Sequence, residues 1–233
     1  MSKVRIESGV VRVLGVDPGT RLVGLAVLDI DRAGGSTLVH AEVVRLATAK
    51  MESRLEKIFA RVGEVIQHHT PAVLAIEEVF HGRNFQSILK VGQARGVVIL
   101  AGQIAGLDVH EYSTRLVKKS ATGNGNADKS QVQSMMIRLL SLKSLPETLD
   151  VSDAMAVAFC HGQRLWREAQ FGPATAAPPK KARSNLPSRG GATPKGTSRD
   201  KSREKLIEQM VKLGKAKETT RRSSGPTGGR VNP

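Results

Sequence analysis

The 233-residue sequence predicts an α/β protein: a mixed β-sheet flanked by helices on both faces, followed by a disordered basic C-terminal tail. Three observations carry this. Three strand-like segments joined by short turns open the chain. From Met51 onward, segments with helical spacing alternate with short apolar runs, the pattern of a sheet covered by helices. Beyond Phe171 the composition shifts to Pro, Gly, Ser, Lys and Arg, and apolar residues become too sparse to offset the entropy of ordering. The expected division is a folded domain over residues 1–171 and a tail over 172–233.

The first strand is predicted over residues 10–16. Asp17-Pro18-Gly19 turns the chain, with Pro presetting φ at the second position and Gly accepting positive φ at the third. A second strand over 24–30 reaches the turn Asp31-Arg32-Ala33-Gly34-Gly35, and a third spans 38–46. Over 51–69, Leu55, Ile58, Phe59, Val62, Val65 and Ile66 recur at three- and four-residue spacing, which predicts an amphipathic helix that Pro71 ends. Residues 72–77 are apolar on both faces, as a central parallel strand must be. A loop over 80–84 leads into a long helix over 85–106, then a strand over 107–112 and a short helix over 113–119. Gly123-Asn124-Gly125-Asn126 is a loop, 128–142 a helix, and 150–169 the last helix, with Pro146 breaking the chain between them. In the tail, Leu206, Ile207, Met210, Val211 and Leu213 have spacing that suits a transient basic helix over 201–217.

The net charge is +15, unevenly spread. Residues 1–170 hold 21 Lys and Arg against 17 Asp and Glu, a difference of +4; residues 171–233 hold 15 against 4, a difference of +11. A basic excess points to a polyanion, and nucleic acid is the commonest. Cys160, the one cysteine, excludes an intramolecular disulfide and fits a reducing compartment. Its apolar surroundings make it a core residue. Lys3 and Arg5 are followed by a strand-like run containing Arg12, unlike a signal peptide. The longest apolar stretch, 97–101 with a weak extension to 104, falls short of the roughly 20 residues a membrane span needs. A soluble cytoplasmic protein without a membrane partner is expected.

Four carboxylates stand out: Asp17, Glu77, Asp150 and Asp153. Each lies at the end of a strand-like segment or the start of a helix-like one, where an α/β sheet gathers side chains into one cleft. Crowded acids repel and their pKa values rise unless a cation neutralises them, and oxygen ligands suit Mg²⁺ or Mn²⁺ over zinc. An acidic metal site in a basic protein points to cleavage of phosphodiesters. Plainer readings exist for each. An acid before Pro-Gly is ordinary turn chemistry. Glu77 and Glu78 face opposite sides of a strand, and alternation alone does not choose between them. Asp150 and Asp153 have the spacing of a helix cap, though both roles can hold together. Gly19 and Thr20 would let a phosphate approach the backbone.

Phe80 lies in a loop with His81, Arg83 and Asn84, where an aromatic beside Arg can stack on an unpaired base. Lys118, Lys119 and Lys129 are candidates for phosphate contact. The helix over 85–106 carries Gly92, Ala94, Gly96, Ala101 and Gly102. Glycines inside a helix need a packing reason, either close internal helix packing or a dimer interface.

Five segments in order resemble the RuvC family of bacterial Holliday junction resolvases: Leu14-Gly15-Val16-Asp17-Pro18-Gly19-Thr20, Ala75-Ile76-Glu77-Glu78-Val79-Phe80, Leu89-Lys90-Val91-Gly92-Gln93-Ala94-Arg95-Gly96, Asp128-Lys129-Ser130-Gln131-Val132-Gln133 and Asp150-Val151-Ser152-Asp153-Ala154. The resemblance spans residues 11–161. It implies an RNase H-like fold and a homodimer with two active sites. It implies Mg²⁺-dependent paired nicking of four-way junction DNA, with RuvA and RuvB as partners. By position it makes Asp17, Glu77, Asp150 and Asp153 the catalytic, metal-binding acids, selecting Glu77 over Glu78. Phe80 becomes the loop aromatic near the junction centre, beside Arg83, and Lys118 and Lys129 become basic residues near the cleaved strand. The Gly92 helix falls at the dimer interface. Two Mg²⁺ ions per subunit, about 3.5–4 Å apart, would bridge the acids and the scissile phosphate, with Mn²⁺ as a substitute. The basic tail exceeds the family pattern, which assigns it no role.

Two rival readings compete. A phosphotransferase of the actin and sugar-kinase type shares the Asp-x-Gly-Thr turn, but this chain is short for two lobes and has no second phosphate loop. A junction-binding protein without catalysis would lack one or more of the acids, and all four are present.

Overall fold

The computed structural model describes residues 9–46, 50–78, 85–144, 148–172 and 208. Along the described chain run β1 Val10–Asp17, β2 Leu22–Asp31, β3 Ser36–Arg45, α1 Met51–His69, β4 Val73–Glu77, α2 Phe85–Ala105, β5 Asp108–Tyr112, α3 Thr114–Thr122, α4 Lys129–Leu139 and α5 Leu149–Phe171. The sheet order is β3-β2-β1-β4-β5. The two hairpin pairings, β1 with β2 and β2 with β3, are antiparallel, and β1–β4 and β4–β5 are parallel. This is the mixed sheet that the sequence predicts.

Strand alternation divides the core into two layers. Val11, Val13, Val73 and Ala75 face the layer filled by α3, α4 and α5, and Leu14, Val16, Leu74 and Ile76 face the layer filled by α1 and α2. β1 and β4 are therefore apolar on both faces. By the same period of two, Asp17 and Glu77 continue the row that faces α5.

Glycines set how closely α5 lies on the sheet. A Cβ on Gly15 would stand 2.2 Å from the Ala154 carbonyl oxygen, and one on Gly24 would stand 2.0 Å from that of Asp150. Glycine inside a strand often marks close backbone approach, and here it brings the first turns of α5 onto β1 and β2. A buried polar pair braces the same helix against β5: the Tyr112 hydroxyl lies 2.6 Å from His161 Nδ1. Burial, with the charges of His110 and Arg164, pushes His161 down to about 3, so its ring is neutral.

Three local expectations change. Gly19 does not take positive φ; it is glycine because a Cβ would stand 2.1 Å from the Leu22 carbonyl oxygen within the turn. α3 runs on to Thr122 because Val117 and Ala121 bury against the core while Ser120 and Thr122 bond back to the carbonyls of Val117 and Lys118. Gly123, at φ 78°, then ends it. α4 stops at Leu139, ahead of Ser141 at φ 51°.

α2 buries the stripe Ala94, Val98, Ala101 and Gly102. Gly102 is the glycine with an internal reason, since its Cβ would stand 2.6 Å from a Leu74 methyl. Gly92 and Gly96 meet open space and share the opposite face with Phe85, Leu89 and Leu100, all exposed. By length and composition α2 is apolar enough to cross a membrane, which the short run over 97–104 does not reveal in the sequence. One such helix is weak grounds for a span, and its buried stripe packs on β4.

Candidate active site

Asp17 ends β1 and Glu77 ends β4, and the parallel register pairs Val16 with Ile76 just before them. The two acids therefore stand side by side at one edge of the sheet, on the α5 face. This geometry favours Glu77: Glu78 follows the strand, and its backbone N–H donates to the Tyr112 carbonyl at 2.8 Å. Gly24, the ladder partner of Asp17, lies under the Asp150 carbonyl, so the first turn of α5 arrives beside Asp17. Asp153 follows one turn later on the same helical face as Asp150. All four acids meet at this edge.

Asp150 is not the helix cap that its spacing suggests. Thr148 occupies the N-cap position, and its side chain makes no cap hydrogen bond. Asp150 is in the first turn, where a negative charge still suits the helix dipole.

The electrostatics are those of acids held together without enough compensation. Burial, then the charges of Asp153 and Glu77, pushes the Asp17 carboxyl up to about 8. Burial also raises Glu77 and Asp153, against the hydrogen bonds that Thr114 and Lys129 give them. Lys129 Nζ lies 2.5 Å from Asp153 Oδ2. Burial lowers the Lys129 ammonium, but Asp153, Asp17 and Asp150 outweigh it and hold it above its ordinary value. Lys129 is placed by a capping box: Asp128 accepts from the Gln131 N–H at 2.8 Å, and the Asp128 N–H donates to Gln131 Oε1 at 3.0 Å. Lys118 on α3 acts through its charge on Glu77 and Asp153.

The donor set fits a hard divalent cation: four carboxylates, oxygen only, among which burial and mutual repulsion raise Asp17, Glu77 and Asp153. Among the described residues no three acidic, imidazole or thiol groups stand close enough to cage an ion as placed. As placed, Lys129 bonds one oxygen of Asp153 and Thr114 bonds one of Glu77.

A raised carboxyl also has a stability consequence. Asp17 binds its proton more tightly folded than unfolded, so ionising it costs stability. The loss begins above the ordinary value near 4 and is complete above about 8. In EDTA, Asp17→Asn is expected to melt higher than wild type by on the order of 5 °C at pH 8.5, with the gap closing toward pH 4. Scanning fluorimetry across pH checks this; a gap that widens as pH falls contradicts the assignment.

Of the residues singled out in the sequence, the described structure brings together Asp17, Glu77, Asp150, Asp153, Lys118 and Lys129. Phe80 and Arg83 lie outside the described residues. Sequence reasoning missed Thr114, Gly15 and Gly24. The two glycines carried a signal, since each interrupts a strand; Thr114 carried none.

The model of the family described as crossover junction endodeoxyribonuclease RuvC matches residues 13–161. A protein of that name from Methylococcus capsulatus is 46% identical over 150 residues, covering 64% of this chain and 89% of that protein. One from Stutzerimonas stutzeri is 44% identical over 149 residues, covering 64% and 84%. Among solved structures, that of Thermus thermophilus RuvC in complex with a Holliday junction substrate is similar at a TM-score of 0.64 and 34% identity, covering 68% of this chain and 97% of that one. The yeast mitochondrial Holliday junction resolvase Ydc2, 12% identical at a TM-score of 0.53, shares the fold.

Proposed function

Since the chain belongs to the RuvC family of crossover junction endodeoxyribonucleases, we propose that its four-acid cleft resolves Holliday junctions by paired, symmetric, Mg²⁺-dependent nicks that leave 5′-phosphate and 3′-hydroxyl ends. The observation that supports this reading best is the meeting of Asp17, Glu77, Asp150 and Asp153 at one sheet edge within a basic protein. Asp17, Glu77, Asp150 and Asp153 would hold the metal, two Mg²⁺ per subunit with Mn²⁺ as a substitute. Bound there, the metal supplies an activated water and charge stabilisation for the leaving 3′-oxygen. Lys129, which bonds Asp153, and Lys118 would contact the phosphate backbone near the cleaved strand. Phe80 and Arg83 contact unpaired bases and backbone near the junction centre.

The exposed face of α2 supports a homodimer. Phe85, Leu89 and Leu100 are apolar, and Gly92 and Gly96 leave room for a second helix to come close. A two-fold dimer presents two identical sites, matching the near two-fold symmetry of a four-way junction. RuvA and RuvB are the branch-migration partners, and the protein acts in the cytoplasm.

The test is nicking of labelled four-way junction against linear duplex, each with Mg²⁺ or EDTA. Nicks confined to the junction and to Mg²⁺ are expected; equal nicking of duplex overturns the reading.

Residues 1–171 form the nuclease domain in this reading, and 172–233 a basic tail that adds sequence-independent DNA affinity. Deleting 172–233 is expected to weaken junction binding and flatten its salt dependence, by about 0.9 in the log–log slope for each phosphate that the tail neutralises. Binding measured from low to moderate salt checks this. An unchanged slope would assign the tail to another partner.

A further inference from the structure

Thr114 opens α3 at the point where β5 brings the chain to the cleft, and its hydroxyl donates to Oε1 of Glu77. The bond joins residues 37 apart in sequence, so it is not a by-product of local turn geometry. Nor does burial impose it: Thr114 is exposed, and water could serve its hydroxyl. The mount is rigid. Ser113 caps α3 by accepting from the Leu116 N–H, and Val117 and Ala121 anchor the helix in the core.

A carboxylate has two oxygens, and this contact commits one of them. Ligating carboxylates are commonly held by such an outer partner, and losing it costs 10–100-fold in metal affinity or activity. We propose that Thr114 is a positioning residue, whose hydroxyl holds Glu77 by Oε1 so that Oε2 is presented to the metal. This rests on the reading of Glu77 as a ligand. Lys118 and Lys129 bear on Glu77 through charge, which does not fix the rotation of a carboxylate. The hydroxyl does.

The experiment uses the full-length chain with Thr114→Val, which keeps the shape and removes the hydroxyl, Thr114→Ser, which keeps the hydroxyl, and Glu77→Gln. Mn²⁺ binding without DNA is measured by calorimetry, and the Mg²⁺ concentration for half-maximal junction cleavage is measured separately. Thr114→Val is expected to weaken Mn²⁺ binding and raise the Mg²⁺ requirement, each about 10-fold. Its rate at saturating Mg²⁺ should stay near wild type, and Thr114→Ser should restore both quantities. If Thr114→Val binds Mn²⁺ as wild type does while Glu77→Gln does not, the role of Thr114 is refuted and Glu77 remains a ligand. If Glu77→Gln also binds as wild type, the reading of Glu77 falls, and this inference with it. Loss in Thr114→Val that Thr114→Ser fails to restore likewise refutes the hydroxyl's role.

Discussion

Asp17→Asn is expected to lower junction cleavage by about 10³-fold or more while leaving junction binding within about threefold of wild type or tighter. Asp17 sits between the other acids: Glu77 is its neighbour across the parallel ladder, and Asp150 lies over its antiparallel partner Gly24. Its ionisation is disfavoured, because burial and the charges of Asp153 and Glu77 all oppose it. The amide keeps the shape and removes the charge, so the loss falls on cation binding and transition-state charge. In the proposed reading, DNA recognition by Lys118, Lys129 and the tail is untouched. Single-turnover cleavage beside a gel-shift titration in EDTA separates the two effects. A variant that cuts near the wild-type rate would remove Asp17 from the chemistry.

The paired variant Leu89→Asp with Leu100→Asp is expected to convert a dimer into a monomer and paired cuts into isolated nicks. Both leucines are about half exposed in the single chain, at 54% and 53%, so the fold tolerates charge there. An isologous interface meets each substitution twice, placing four carboxylates on the face that carries Gly92 and Gly96. An unpaired buried charge costs about 3–5 kcal/mol, enough to weaken association by 10² or more. Sedimentation at working concentration checks the state. A wild-type monomer, or a variant that remains dimeric, would place the second copy elsewhere.

How much of this was legible in the sequence follows from the range of each interaction. The central strands were readable because β1 and β4 are buried on both faces and lack alternation. Asp17 was readable because a strand end followed by Pro-Gly is a local pattern. The helical spacing of α1 reproduced its limits, Met51–His69. The choice between Glu77 and Glu78 was not readable from alternation alone. It depends on which sheet face α5 covers, a tertiary fact set by Gly15 and Gly24. The spacing of Asp150 to Asp153 fits a helix cap equally well, and only the position of Thr148 distinguishes the two arrangements. Gly19 suggested a positive φ, whereas contact with the Leu22 carbonyl explains it. Thr114 was invisible because its bond to Glu77 exists only after β4, β5 and α3 have assembled.

Resolution of a plasmid-borne cruciform tests the central claim most directly. Two cuts within one bound complex give linear plasmid, and one cut gives a nicked circle. With Mg²⁺, the wild-type chain should produce linear molecules without accumulating nicked circles, with ends that ligase seals, and neither product should form in EDTA or with Asp17→Asn. Nicked circles alone, or linear product formed in EDTA, would contradict a paired, metal-dependent resolvase built on these four carboxylates.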